Sequence, residues 1–228
     1  MTQTLKNGIL SNLQISSYYP IIMRFITNNV LTYVFFLLLS APLSLWATGD
    51  PIAGKSKAMI CSACHGETGI SANPMWPNLA GQHARYLLEQ LRQFKSGNKR
   101  PSAIMSPMVS SLTEQDMEDL AIYYAQQPVA AAIKTQPPHT LGEQLFRQGD
   151  SLRHIAACIA CHGPDGRGNA QAGFPLISHQ NADYTVQQLM AFKTKSRQSD
   201  PLEIMRTLAS KLNPEDMKQV ADYIAGLE

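Results

Sequence analysis

The sequence predicts an all-α protein built by tandem duplication of one small domain, and three observations carry that expectation. Two segments recur in the same order: WPNLAGQHARYLLEQL (76–91) aligns without a gap on FPLISHQNADYTVQQL (174–189), and IMSPMVSSLTEQDMEDLAIYYA (104–125) on IMRTLASKLNPEDMKQVADYIA (204–225). The only four cysteines form two CxxCH units, one in each repeat, and the offset between copies drifts only from 97 to 98 and then 100. Apolar residues return at helical spacing, and no strand-like alternation stands out.

Residues 1–47 are set apart from the repeats. Arg24 precedes an uncharged apolar run, VLTYVFFLLLSAPLSLW (30–46), which Ala47 closes ahead of polar sequence. A basic flank, an apolar core and a small closing residue describe a secretory signal. The run approaches membrane-spanning length, so an uncleaved anchor is the alternative; Pro42 and the small residues near its end favour cleavage. Met23 directly before Arg24 would open a compact signal, which makes residues 1–22 an over-long start or an extension. The first repeat domain then covers 48–128, a linker rich in proline and small residues covers 129–140, and the second domain covers 141–228.

Each repeat follows one plan. A short helix, AGKSKAMI or LGEQLFRQG, leads into CxxCH, and a glycine-rich loop follows. The spacing predicts a middle helix over about 84–95 and 182–193. A final helix starts after Thr113 or Asn213, each followed three residues later by Asp116 or Asp216, which resembles a capping box. Met117, Leu120, Ala121 and Tyr124 fall on one face of it, as do Met217, Val220, Ala221 and Ile224 in the second copy.

Composition narrows the function. The 228 residues are 44% apolar but only 7% aromatic. That is thin for two small domains, which often lean on a cofactor, metal or cross-link. Lys6 and Arg24 are the only charged residues of the leading segment, so the rest carries 17 basic and 17 acidic residues. No basic patch points to nucleic acid, and that partner class is excluded.

Cys61, Cys64, Cys158 and Cys161 are spent in two adjacent pairs, each followed by a histidine, His65 or His162. A disulfide inside each pair would leave the histidines unexplained. Zinc knuckles pair their CxxC units about 15–20 residues apart, and a thioredoxin motif needs a βαβ context. Covalent haem c remains. Two thiols one helical turn apart reach the two vinyl groups on one porphyrin edge, and the next residue places its imidazole under the iron. The opposite axial position needs its own ligand. Met105 and Met205 match between the copies and lie in the segment before the final helix, where a side chain can reach across the haem. Met117 and Met217 match as well but belong to the apolar face. Met108 is a rival for the first haem, although its counterpart is Leu208. His83, His139, His154 and His179 have no histidine counterparts and read as loop or surface residues. The carbonyls of Pro77 and Pro175 can accept the free ring N–H of His65 and His162, or these prolines simply end a turn.

The order AGK, CSACHG, PNLAGQ, YLLEQL, IMSPM, LTEQDMEDLAIYYA, followed by a second copy ending in ADYIAGLE, resembles the diheme cytochrome c4 family over about 50–228. The resemblance implies two class I cytochrome c domains packed pseudo-symmetrically, each with one covalent haem. It implies thioether anchors at Cys61, Cys64, Cys158 and Cys161, and axial pairs His65 with Met105 and His162 with Met205. It further implies a periplasmic electron carrier without catalytic residues, taking electrons from a donor such as a quinol-oxidising complex and passing them to a terminal oxidase or another acceptor. Membrane association would come through partners, or through an uncleaved signal. A diheme redox enzyme, such as a peroxidase or a sulfur-compound dehydrogenase, is the alternative. One departure stands out: the Gly81-Gln82 pair of the first copy is His179-Gln180 in the second, which bears on haem packing or propionate contacts.

Overall fold

A computed structural model of the protein describes residues 49–133 and 140–227. The leading apolar segment and His139 lie outside the described residues. Both repeats lie within one compact unit of the chain.

In the first repeat, α1 (Pro51–Lys57) runs almost directly into α2 (Met59–His65). Then come α3 (Ala84–Ser96), α4 (Met105–Val109) and α5 (Glu114–Ala125). The second repeat has α6 (Leu141–Arg147), α7 (Ile159–His162), α8 (Ala182–Lys193), α9 (Ile204–Ser210) and α10 (Pro214–Ala225). Among the described residues the only extended pairings are two isolated bridges, Asp150 with Ile155 and Asn169 with Phe174. The packing order is the same twice: α5 lies against α1 and α3 as α10 lies against α6 and α8.

Capping decides where the final helices begin. Thr113 and Asn213 accept from the N–H of Asp116 and Asp216, whose carboxylates accept in return from the cap residue's N–H. Two orphan donors at each helix start are thereby satisfied. The apolar faces of these helices close the two cores. Met117, Leu120, Ala121 and Tyr124 pack with Leu87 and Leu88; Met217, Val220 and Ile224 pack with Leu145, Phe146 and Leu189.

Two local details differ from the sequence reading. Met105 and Met205 do not sit in an irregular connection but in α4 and α9, short helices placed against α3 and α8. In the second repeat the leading helix does not run into CxxCH. A loop over 148–157 intervenes, pinned by Arg153, which binds Asp150 (2.6 Å) and the buried Asp216 (2.7 Å). The linker is partly docked as well: Ala130 is buried, and the Ile133 N–H donates to the Ala225 carbonyl (2.9 Å).

The repeats meet through side chains and loops. Gln82 donates to the Leu176 carbonyl (2.7 Å) and accepts from the Leu176 N–H (3.0 Å). Its counterpart Gln180 treats Asn78 identically, at 2.9 and 2.8 Å. Each glutamine thus reads both backbone groups of one residue in the opposite repeat, a reciprocal clasp. Both partners of every bond stay satisfied, which is what burial of such groups demands.

Candidate functional site

Each CxxCH is carried by a short helix that ends on its histidine. Cys61 and Cys64 are both within α2, three residues and so about one turn apart. Cys158 caps α7, and Cys161 lies inside it. All four are unpaired thiols. Gly66 and Gly163, at φ 79° and 76°, stop these helices directly after the histidine. A side chain at Gly66 would strike the Ile70 carbonyl oxygen at 2.1 Å, so the tight exit requires glycine.

Both imidazoles are buried and oriented alike. His65 Nδ1 lies 3.0 Å from the Pro77 carbonyl oxygen, and His162 Nδ1 lies 3.0 Å from that of Pro175. A carbonyl only accepts, so Nδ1 carries the proton and Nε2 keeps its lone pair. Burial pushes both imidazoles below the ordinary histidine value, and the proline carbonyls pull weakly the other way. Each ring is therefore a neutral base with Nε2 available, the form that ligates a metal. Burial likewise raises the Cys61 and Cys158 thiols, the latter to about 11. The Tyr124 hydroxyl is buried next to the Cys61 thiol. Among the described residues no group of three or more His, Cys, Asp or Glu side chains converges as a metal cage. The donor set is thus two thiols and one oriented imidazole, given twice, which suits haem c rather than zinc.

Met105 and Met205 are partly buried, and Met205 packs against the second core. Met108 is 40% exposed, one turn further along α4. The remaining described histidines serve the fold. His83 Nε2 meets the Arg167 carbonyl oxygen across the repeat boundary (2.8 Å), and exposed His154 offers its carbonyl to Lys211. His179, the departure in the second copy, turns its Nε2 to the Leu227 carbonyl oxygen (2.6 Å) and so ties down the chain end.

Sequence reasoning missed a buried polar cluster between the repeats. Arg100 donates to Gln90 (2.8 Å), Tyr184 (2.7 Å) and Gln188 (3.0 Å). Arg197 donates to Gln188 (2.9 Å), Tyr86 (2.8 Å) and Gln90 (3.0 Å). Each guanidinium also stacks on a phenylalanine of its own repeat, Phe94 at 4.3 Å and Phe192 at 4.4 Å. A signal was available: Gln82/Gln180, Tyr86/Tyr184 and Gln90/Gln188 are polar residues identical at matching positions of the gap-free repeat.

The chain matches the family described as Cytochrome c over residues 53–127 and 140–228. It is 43% identical to cytochrome c4 of Thiocapsa roseopersicina, over 78% of this chain and 93% of that protein. It is 37% identical to a thiosulfate dehydrogenase electron acceptor of Thiomonas intermedia, over 83% of this chain and 85% of that protein. The crystal structure of reduced recombinant cytochrome c4 from Pseudomonas stutzeri superposes with a TM-score of 0.76 at 39% identity, covering 79% of this chain and all of that one.

Proposed function

The chain belongs to the diheme cytochrome c4 family, and on that premise we propose that it shuttles electrons in the periplasm between respiratory partners, with His/Met ligation at both haems. It is an electron carrier rather than an enzyme and holds two covalent haem c groups. The alternative of a diheme enzyme therefore falls. The observation that carries the finer reading is the twofold construction of one site: thiols on a short helix, a neutral imidazole tied at 3.0 Å to a proline carbonyl, and a methionine at the matching position of a second short helix.

Bound haem c supplies reversible one-electron exchange at its iron. Everything else belongs to this chain. Cys61 with Cys64, and Cys158 with Cys161, anchor the two groups by thioether bonds. The Pro77 and Pro175 carbonyls fix the ring plane of His65 and His162 and raise their basicity. Met105 and Met205 would supply the second protein ligand to each iron, exclude water and small ligands, and raise the reduction potential relative to a histidine or water there. The Nδ1–H of each imidazole is already held by a carbonyl, so Nε2 would ligate without a proton leaving the ring.

The acceptor we propose is a terminal oxidase, with a quinol-oxidising complex as donor. A sulfur-oxidising dehydrogenase is a second candidate donor, supported by the relative named as the electron acceptor of thiosulfate dehydrogenase. Among the described residues no helix is long and apolar enough to cross a membrane. The test is the optical spectrum of the matured protein, oxidised and reduced, with and without carbon monoxide. Two low-spin haems that ignore the gas support His/Met ligation at both irons. One haem that is high-spin or binds the gas removes Met105 or Met205 from its assigned role.

A further inference from the structure

The two repeats carry their candidate methionines on differently built turns. In the first, Ser102 closes the segment before Met105: its Oγ accepts from the Met105 N–H (3.0 Å) and its carbonyl from the Ser106 N–H (3.0 Å). No residue from 98 to 110 holds left-handed backbone there. In the second, Leu202 and Glu203 are both left-handed, at φ 52° and 59°, directly before the helix that carries Met205. Two consecutive residues with side chains are costly in that region, and such strain persists only where surrounding contacts impose it. The Leu202 side chain imposes nothing, since it is 91% exposed.

What spans the strained residues is an ion pair. Asp200 accepts from Arg206 Nε (2.7 Å) and from the Arg206 backbone N–H (3.0 Å), so one carboxylate closes the turn from 200 to 206 with Met205 inside it. These two side chains are only 3% and 13% exposed. A second arm runs from Arg206 to Glu203 at 3.3 Å, but that carboxylate lies mostly in water. Pro201 follows Asp200 and stiffens the entry, because its ring fixes φ. The counterpart of Arg206 is Ser106, at the offset of 100 that also relates Met105 to Met205, so a serine stands where this charge does. We infer that Asp200 and Arg206 are positioning residues: their pair holds the left-handed turn shut and so keeps Met205 in place as ligand of the second iron. This rests on the methionine ligation proposed above. Charge-assisted bonds are about twice as strong as neutral ones, which suits a clamp working against backbone strain.

The experiment follows the ferric methionine-to-iron charge-transfer absorption, and carbon monoxide uptake, in the matured holoprotein and its variants. Met205→Ala comes first and should open one iron. If both irons stay closed, the methionine reading fails and the clamp falls with it. Asp200→Ala/Arg206→Leu removes both charges, so no unpaired charge is left buried. It should keep the circular dichroism of the folded chain, yet lose up to half of the absorption and take up carbon monoxide at one haem. Adding Leu202→Asn, which accepts left-handed backbone more readily, should lower that uptake about twofold or more. Met217→Ala, a core truncation in the same repeat, should leave the absorption intact and so separates the clamp from general destabilisation. Where Met205→Ala opens an iron, an unchanged spectrum in the double variant overturns the clamp alone. Equal loss in Met217→Ala, or no recovery with Leu202→Asn, overturns it too.

Discussion

The two repeats solve one backbone problem with different residues. Gly81 and His179 occupy the same place after the proline loop, and both hold left-handed backbone, at φ 69° and 59°. Their N–H groups donate to matching carbonyls at the end of the final helix, Tyr124 at 2.9 Å and Ile224 at 3.0 Å. Glycine accepts that conformation at little cost, and histidine does not. In the first repeat a Cβ at position 81 would meet Val129 Cγ2 at 2.3 Å, because the linker passes over it. In the second repeat His179 uses its side chain to bind the Leu227 carbonyl. The geometry is set by the fold, and the residue is set by what the chain does next. The same lesson appears at the leading helices. Lys57 binds Asp119 (2.7 Å) and Asp116 in the first repeat, whereas the inserted loop of the second brings Arg153 onto Asp216.

Equality of the two sites is broken most strongly at the two methionines proposed as iron ligands. Met105→Ala and Met205→Ala are each expected to open one iron, so that half of the haem binds carbon monoxide in a difference spectrum. Gas binding in Met108→Ala with none in Met105→Ala would hand the first ligand to Met108. Equality of the two cores is tested next. Met117 and Met217 are both buried on the final helix, and truncation to alanine should cost about 2–5 kcal/mol in either repeat by chemical denaturation. A cost confined to one repeat would show that the cores are not interchangeable.

The third expectation sharpens the contrast at 81 and 179. Gly81→Ala should lose at least about 1–2 kcal/mol from left-handed backbone alone, with further loss from the overlap at Val129. His179→Gly should change stability by less than about 1 kcal/mol, because relief of backbone strain offsets one lost hydrogen bond. A large loss there would make the tie to Leu227 more important than the strain. The smallest effect concerns acid. Hydrogen bonds from Lys57 first, then Gln115, hold the Asp119 carboxyl at about 2, against 3.8 ordinarily. A depressed carboxyl contributes stability that is complete above its unfolded value and is lost as pH falls through the folded one. Unfolding followed by circular dichroism should therefore show an acid loss between about pH 4 and pH 2 that Asp119→Asn reduces. Gln219 stands at the matching place in the second repeat and has no such limb. An unchanged acid profile in Asp119→Asn would remove Asp119 as a cause.

Much of this molecule was legible in one sequence because a duplicated chain is its own comparison. The final helices begin at the caps expected of Thr113 and Asn213, and the middle helices run close to the expected ranges. Thiol spacing and the adjoining histidines already pointed to haem c. These features depend on residues within a turn or two of each other, so helical spacing and capping chemistry are enough to place them. The short helices carrying Met105 and Met205 were less visible. They are only five and seven residues long, too short to stand without α3 and α8 beneath them.

What the sequence determined alone was the twofold plan, the helices and the chemistry of each CxxCH. Only the tertiary structure decided that Gln82 and Gln180 clasp opposite backbones, that His179 reaches the chain end, and that Arg100 and Arg197 share one buried site. The physical reason is range. A lone arginine, tyrosine or glutamine reads as a solvated surface residue until packing brings its counterpart, about a hundred residues away, within 3 Å, and removes the water between them.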